Sequence, residues 1–173
     1  MKKAFTLIEL LVTSTIIMIM LGVTITYSQK GESINKVNRG MERLAFDMRR
    51  ISNLSMQTRQ IGDKKICGWG IYFDIEQDDR YIVFSDFCET DTTLGDNMYS
   101  ENEKQEIMKL NNGVHIKNTD INYVMYLPPE PRVEIYDSYN NIVDTGKIVL
   151  TSQNGSYSKT LTINQLGRID VGN

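Results

Sequence analysis

Few residues in this chain could do chemistry. Its one histidine, His115, stands in "NNGVHIKN" with no cysteine or paired carboxylate beside it. A lone histidine in a strand-like stretch is more often structural than catalytic. No phosphate loop, zinc spacing or nucleophile elbow occurs, so no enzyme activity and no cofactor are expected. The acidic segment 89–106, "ETDTTLGDNMYSENEKQE", offers hard oxygens at Asp91, Asp96 and Glu101. Their spacing matches no EF-hand loop, and the segment reads as a solvated loop with room for a short helix and no metal site. Three residues keep a chemical question: Cys67 and Cys88, which could form a disulfide, and Glu9, a carboxylate inside an apolar run.

That run is "FTLIELLVTSTIIMIMLGVTITY", Phe5 to Tyr27, preceded by Lys2 and Lys3. At ~1.5 Å per residue it reaches ~34 Å as a helix, enough to cross a bilayer core. It exceeds the 7–15-residue core of a secretory signal, and no A-x-A-like cleavage site follows. A carboxylate in hydrocarbon costs on the order of 2.5–3.5 kcal/mol even on the lenient scale. Plain anchoring therefore does not account for Glu9.

Beyond Tyr27 the helical period continues. Ile34, Val37, Met41, Leu44, Met48 and Ile51 recur at alternating spacings of three and four, with Arg39, Glu42, Arg43, Asp47 and Arg50 off the stripe. No proline interrupts residues 5–57, and Gly22, Gly31 and Gly40 are the weak points. One long helix follows, its first half in lipid or protein and its second half packing a stripe on a domain. A dimeric coiled coil is the rival reading, weakened by fewer than three heptads and no e/g charge pattern.

From residue 61 the period becomes two. "CGWGIYFDI" places Cys67, Trp69, Ile71, Phe73 and Ile75 on one face, and "RYIVFSDFC" does the same for Ile82, Phe84 and Cys88. If "EQDD" is the turn and Ile75 pairs with Arg80, Cys67 falls opposite Cys88, within disulfide range. Two free core thiols is the alternative. "NYVMYL", "RVEIYDS", "GKIVLTS" and "SKTLTIN" read as further strands. "QNGS" supplies a hairpin turn between the last two, and "PPEP" is expected to forbid continuous pairing of the first two.

The bulk numbers agree with one domain behind an anchor: 173 residues, 40% hydrophobic, net charge -3. The part after residue 27 is mildly acidic, which argues against nucleic acid as the main partner. The basic stub puts the lysines on the cytoplasmic side and the head outside, where a disulfide persists. The expected fold class is α+β, a long N-terminal helix packed on an antiparallel β-sheet head. Its expected divisions are a leader (1–4), a transmembrane and assembly helix (5–27), an amphipathic continuation (28–57) and the head (58–173).

"MKKAFTLIELLV" resembles the class III signal of type IV prepilins and type II secretion pseudopilins. The resemblance implies cleavage between Ala4 and Phe5 by a prepilin peptidase, N-methylation of Phe5, and assembly through Glu9. Ala4 departs from the family's usual glycine, and is its smallest substitute. In that family's filaments the N-terminal helices bundle, so Glu9 would face the α-amino group of a neighbour's Phe5, and pairing there offsets the burial cost of both charges. The implied partners are other pilin or pseudopilin subunits, the peptidase and an inner-membrane assembly platform. The implied location is a single-pass cytoplasmic membrane protein, head extracytoplasmic, and then a cell-surface or periplasmic filament.

The ending "KIVLTSQNGSYSKTLTINQLGRIDV" is similar to H-type pseudopilins and FimT-like minor pilins, with Gly167-Arg168 as the closing turn. That favours a minor structural subunit. The alternative is a DNA-binding minor pilin serving DNA uptake, for which stand Arg39, Arg43, Arg49, Arg50, Arg59 and Arg168. Against it, Asp170 occupies the position where FimT-like DNA binders carry a second arginine.

Overall fold

The computed structural model describes residues 6–57, 60–74, 76–88, 95–128 and 132–172, and side chains outside 25–30. Ala4, Phe5, Ile75, Arg59 and Asp91 therefore lie outside the described residues. A single helix, α1, runs from Leu7 to Gln57, ~76 Å at the standard rise. It passes through Gly22, Gly31 and Gly40 without a break.

Among the described residues ten strands follow, in two antiparallel sheets. Gln60–Ile61 (β1), Lys64–Tyr72 (β2), Arg80–Phe87 (β3), Lys104–Lys109 (β4), Tyr123–Leu127 (β6) and Arg132–Tyr136 (β7) form the first, in the order β4-β3-β2-β6-β7 with β1 on β2. Val114–Thr119 (β5), Thr145–Ser152 (β8), Ser158–Asn164 (β9) and Ile169–Gly172 (β10) form the second, in the order β10-β9-β8-β5. The fold is α+β, and α1 packs across both sheets.

The helical stripe is the centre of the core. Val37, Met41, Leu44, Met48 and Ile51 are fully buried, against Ile71 and Val83 of the first sheet and Val114, Leu150 and Leu161 of the second. The face that a coiled-coil dimer would use is therefore taken up within the chain.

One of the charged residues off the stripe is nonetheless enclosed. Asp47 is buried, and its carboxylate accepts a 2.6 Å hydrogen bond from the Tyr81 hydroxyl. Arg50 Nε lies 3.3 Å away and Arg43 Nε 3.9 Å away. Burial, then Asp47, pushes the Tyr81 phenol far above its ordinary range. The pair ties helix to sheet at one height. Asp47→Ala would leave the Tyr81 hydroxyl buried without an acceptor, and is expected to lower the unfolding free energy by about 1–3 kcal/mol. Tyr81→Phe should cost less, because two arginines still face Asp47. Urea unfolding of both variants and the double mutant checks this: strictly additive losses would mean that the two groups do not interact.

The β2–β3 register differs by one residue from the expected one. Trp69 pairs with Ser85, Ile71 with Val83 and Tyr72 with Ile82. The reason is the connection: β2 leaves the β3 ladder after Tyr72, and Phe73 instead donates its N–H to Asn122. A slip of one residue exchanges the faces of a strand. Tyr81 and Val83, not Ile82 and Phe84, accompany Trp69 and Ile71 toward α1. Phe84 sits on the opposite face with Tyr123, Met125 and Tyr136.

Cys67 and Cys88 are nonetheless joined by a disulfide, with Cα atoms 5.1 Å apart. A bulge does it. Ile66 pairs with Phe87 but Gly68 pairs with Asp86, leaving Cys67 as the extra residue. The Cys88 N–H bonds to the Lys65 carbonyl at 3.0 Å, so the two cysteines flank the last rung.

Two further differences, the strand β4 and the pairing beside "PPEP", have local causes. The acidic segment ends in a one-turn 3-10 helix, Glu101–Glu103, and then in β4, an edge strand whose polar side chains hide it from pattern reading. The strands flanking "PPEP" do pair, from Tyr123–Tyr136 to Leu127–Arg132, and the ladder ends at Leu127, before Pro128. "QNGS" lies, as expected, in the hairpin loop between β8 and β9, with Thr151 pairing Ser158 and the Ser152 N–H closing on Tyr157.

Candidate functional site

The N-terminal third of α1 touches nothing in the head. Leu7–Thr24 has a mean hydropathy of 2.1 and is wholly unburied within the chain. It is long and apolar enough to cross a membrane and lies near the N-terminus. Twelve large apolar side chains stand exposed along it, among them Leu7, Ile8, Leu10, Met18 and Met20. Leaving such side chains wet costs at least about 1.5 kcal/mol each, together more than the net stability of an ordinary domain. This surface is built to be covered by lipid or by other helices. Its hydroxyls do not oppose that: Thr13, Ser14 and Thr15 bond back to the carbonyls of Leu10 and Leu11 at 2.8–3.1 Å.

Glu9 has a local role that the charge question obscured. Its Oε2 accepts 3.0 Å hydrogen bonds from the Thr6 N–H and from the Thr6 hydroxyl. The Thr6 hydroxyl in turn accepts from the Glu9 N–H at 3.3 Å. This is a capping box: residue Thr6 precedes the helix, Glu9 occupies the third helical position, and each satisfies a backbone donor that helix geometry leaves free. The pattern T-x-x-E ahead of an apolar run was visible in "TLIE" and would have given the helix start. Glu9 also places a negative charge in the first turn, where the helix dipole favours it.

The remaining expected site residues are dispersed. His115 Nδ1 lies 3.0 Å from Asp78 Oδ1 in a half-exposed pair, remote from the N-terminal segment. Arg50 is held by Glu106 at 2.9 Å as well as by Asp47, and Arg168 is held by Asp170 at 2.9 Å. The closing turn is formed by Gly167 at φ 75°, with Asn164 Oδ1 accepting from the N–H groups of Leu166 and Arg168.

A set of which the sequence suggested only Asp96 is Asp86, Asp96 and Glu103. They are separated along the chain and brought to one place by β3 and the segment that returns to β4. Burial pushes the Asp86 carboxyl up to about 7, against the backbone N–H of Asn97 and with Glu103 and Asp96 adding to the rise.

The fold and this segment together define a class: a β-headed protein carried on one helix whose N-terminal third demands an apolar partner. Residues 1–25 match the family described as the prokaryotic N-terminal methylation motif, a type IV pilin-like signature. No curated protein and no solved structure matches the chain.

Proposed function

We propose that the chain is a structural subunit, a minor pilin or pseudopilin of a type IV pilus or a type II secretion-like filament. It is made as a precursor, cut between Ala4 and Phe5 by a prepilin peptidase and methylated on the Phe5 amine. An inner-membrane platform then moves it from the cytoplasmic membrane into a cell-surface or periplasmic filament, with its head extracytoplasmic. What carries this reading is the methylation motif lying on a helix whose apolar half projects clear of the head. A uniformly apolar helix surface with small and hydroxyl residues suits close packing among copies. The likeness of the C-terminal hairpin to H-type pseudopilins and FimT-like minor pilins supports a minor subunit within this proposal.

DNA binding for uptake is the weaker reading. Arg50 and Arg168 are engaged by carboxylates, and Arg43 lies beside Asp47, so less cationic surface is left to neutralise phosphates than the residue count suggests.

The capping box sharpens the test of Glu9. Glu9→Gln keeps a side chain able to cap Thr6 but loses the charge, whereas Thr6→Val loses the cap and keeps the charge. If Glu9 pairs with a neighbour's Phe5 amine, Glu9→Gln and Glu9→Leu should both be cleaved and inserted normally, yet enter filaments about tenfold less or worse, since breaking a buried pair costs several kcal/mol. Thr6→Val should assemble nearly as the parent does. Immunoblots of sheared filaments and of membranes separate these cases. Normal incorporation of Glu9→Gln would reduce Glu9 to a helix cap and sink the pairing.

A further inference from the structure

We infer that the end of the head nearest the apolar span rests on the lipid headgroup layer, where an open cleft takes a headgroup phosphodiester. The inference rests on the reading that Leu7–Thr24 crosses a membrane, and assigns to the head a lipid-facing surface of its own.

The first observation is position. A Cβ placed on Gly40 would meet Val114 and Leu150 at 3.4 and 3.7 Å, which sets the second sheet at that level of α1. From Leu150, β8 runs toward the span. Ser33 and Lys36 of α1, Asn112 and Gly113 before β5, and Gln153 and Asn154 after β8 line one cleft of about 380 Å³. The Gln153 N–H bonds to the Gly113 carbonyl at 2.8 Å and ties the two loops together. Ser33 follows Tyr27, the last residue of the apolar run, by about 9 Å at the helical rise. The polar layer adds about 5–7 Å to each side of the hydrocarbon. The cleft therefore opens at the outer boundary of the headgroups, with the hairpin loop at 153–156 leading.

The second observation is charge. The chain carries 22 acidic residues, yet none falls in 107–119 or 145–169. Strands β5, β8 and β9 and the loops at this end are thus free of carboxylates, and "LNNG" and "SQNGS" offer amides and hydroxyls instead. The acidic turn before β3 is held deeper in the head. Its Asp78 carbonyl accepts from the Ile116 N–H at 2.7 Å, about 10 Å up β5 from Gly113 at the strand rise. A surface without carboxylates meets a phosphate layer without repulsion, and side-chain amides donate to phosphate oxygens.

Lys36 is the cation lining the cleft. Its Nζ lies 2.8 Å from Glu32, one turn nearer the span, in an exposed pair. Such a pair is weak, and an ammonium has three donors, so a phosphate can share it. Exposed Arg39, and Lys159 bonded to Asn38 Oδ1 at 3.2 Å, add positive charge just above.

The test reconstitutes the full chain at low density in vesicles of phosphatidylcholine and phosphatidylglycerol, with a fluorophore on Asn154→Cys. Cys67 and Cys88 are bonded to each other and take no label. A nitroxide on the lipid headgroup should quench this fluorophore severalfold more than the same one on Leu166→Cys. Leu166 is 89% exposed, and its neighbour Gly167 shares a cleft with Met48 and Asn53, more than about 20 Å further along α1. Lys36→Glu, on the exposed flank of the helix, should cut the quenching at Asn154 by about half or more. Met18→Cys, read against a nitroxide on the acyl chain, reports insertion separately, and if it is not quenched the membrane reading falls and this inference with it. With Met18 inserted, the inference is overturned if Asn154 is quenched no more than Leu166, or if Lys36→Glu changes nothing. It is also overturned if Asn154 becomes shielded only as protein density rises, which would seat a second copy on this surface.

Discussion

Truncating Leu44 to alanine is expected to lower the unfolding free energy by about 2–5 kcal/mol, and Met48→Ala to do the same. Both side chains are fully buried where α1 crosses the two sheets. Little can collapse into either space, because the stripe is one helix turn after another, with Met41 and Ile51 in line and strands of both sheets fixed opposite. A domain of this size holds about 5–15 kcal/mol in all, so the double variant should leave little folded head. Urea unfolding of the full chain in micelles, followed by the signal of Trp69, measures it. An unchanged midpoint would mean that the helix rests on the head without being part of its core. Phe46, on the exposed side of the same helix, is the control: Phe46→Ala should change stability by only tenths of a kcal/mol.

The second large effect is expected from the disulfide. Cys67 and Cys88 are 21 residues apart in sequence, and closing a loop of that length removes unfolded-state entropy worth about 3 kcal/mol. Cys67→Ser with Cys88→Ser, or reduction, should lower the unfolding free energy by about that amount. The mechanism acts on the unfolded chain, so the β2–β3 ladder and the bulge at Cys67 should persist in the folded variant. The non-reduced protein should be lighter than the reduced one by two hydrogens, with no thiol open to alkylation. Two alkylatable thiols in the non-reduced protein would contradict the bond. Ile66 and Trp69 flank Cys67 with buried side chains, so opening the bond would leave the strand end held by packing on one face only.

Much of this architecture was legible in the residue order, because its signals are local. A membrane-length apolar run, a 3–4 stripe and period-two strands each declare themselves within a short window. The long helix, its buried Leu44 and Met48, and the strands from Tyr123 to Asn164 follow from those patterns. The capping box was equally legible in "TLIE", but Glu9 drew attention as a charge and not as a cap.

What tertiary structure decided depends on pairing partners that no window contains. Whether Val83 or Phe84 faces α1 turns on a one-residue register, set where β2 leaves β3 to bond with Asn122. β4 is a strand because β3 offers an edge for its backbone, not because "KQEIMK" alternates. Asp47 sits on the flank of an amphipathic helix, where a carboxylate ordinarily stays in water. Tyr81, thirty-four residues on, supplies the buried hydroxyl that lets it be enclosed. Asp86, Asp96 and Glu103 carry no metal-binding spacing. They converge because residues 95–103 lie by the end of β3 before β4 pairs along it, and a carboxylate's neighbours there are fixed by the path of the backbone, not by its place in the sequence.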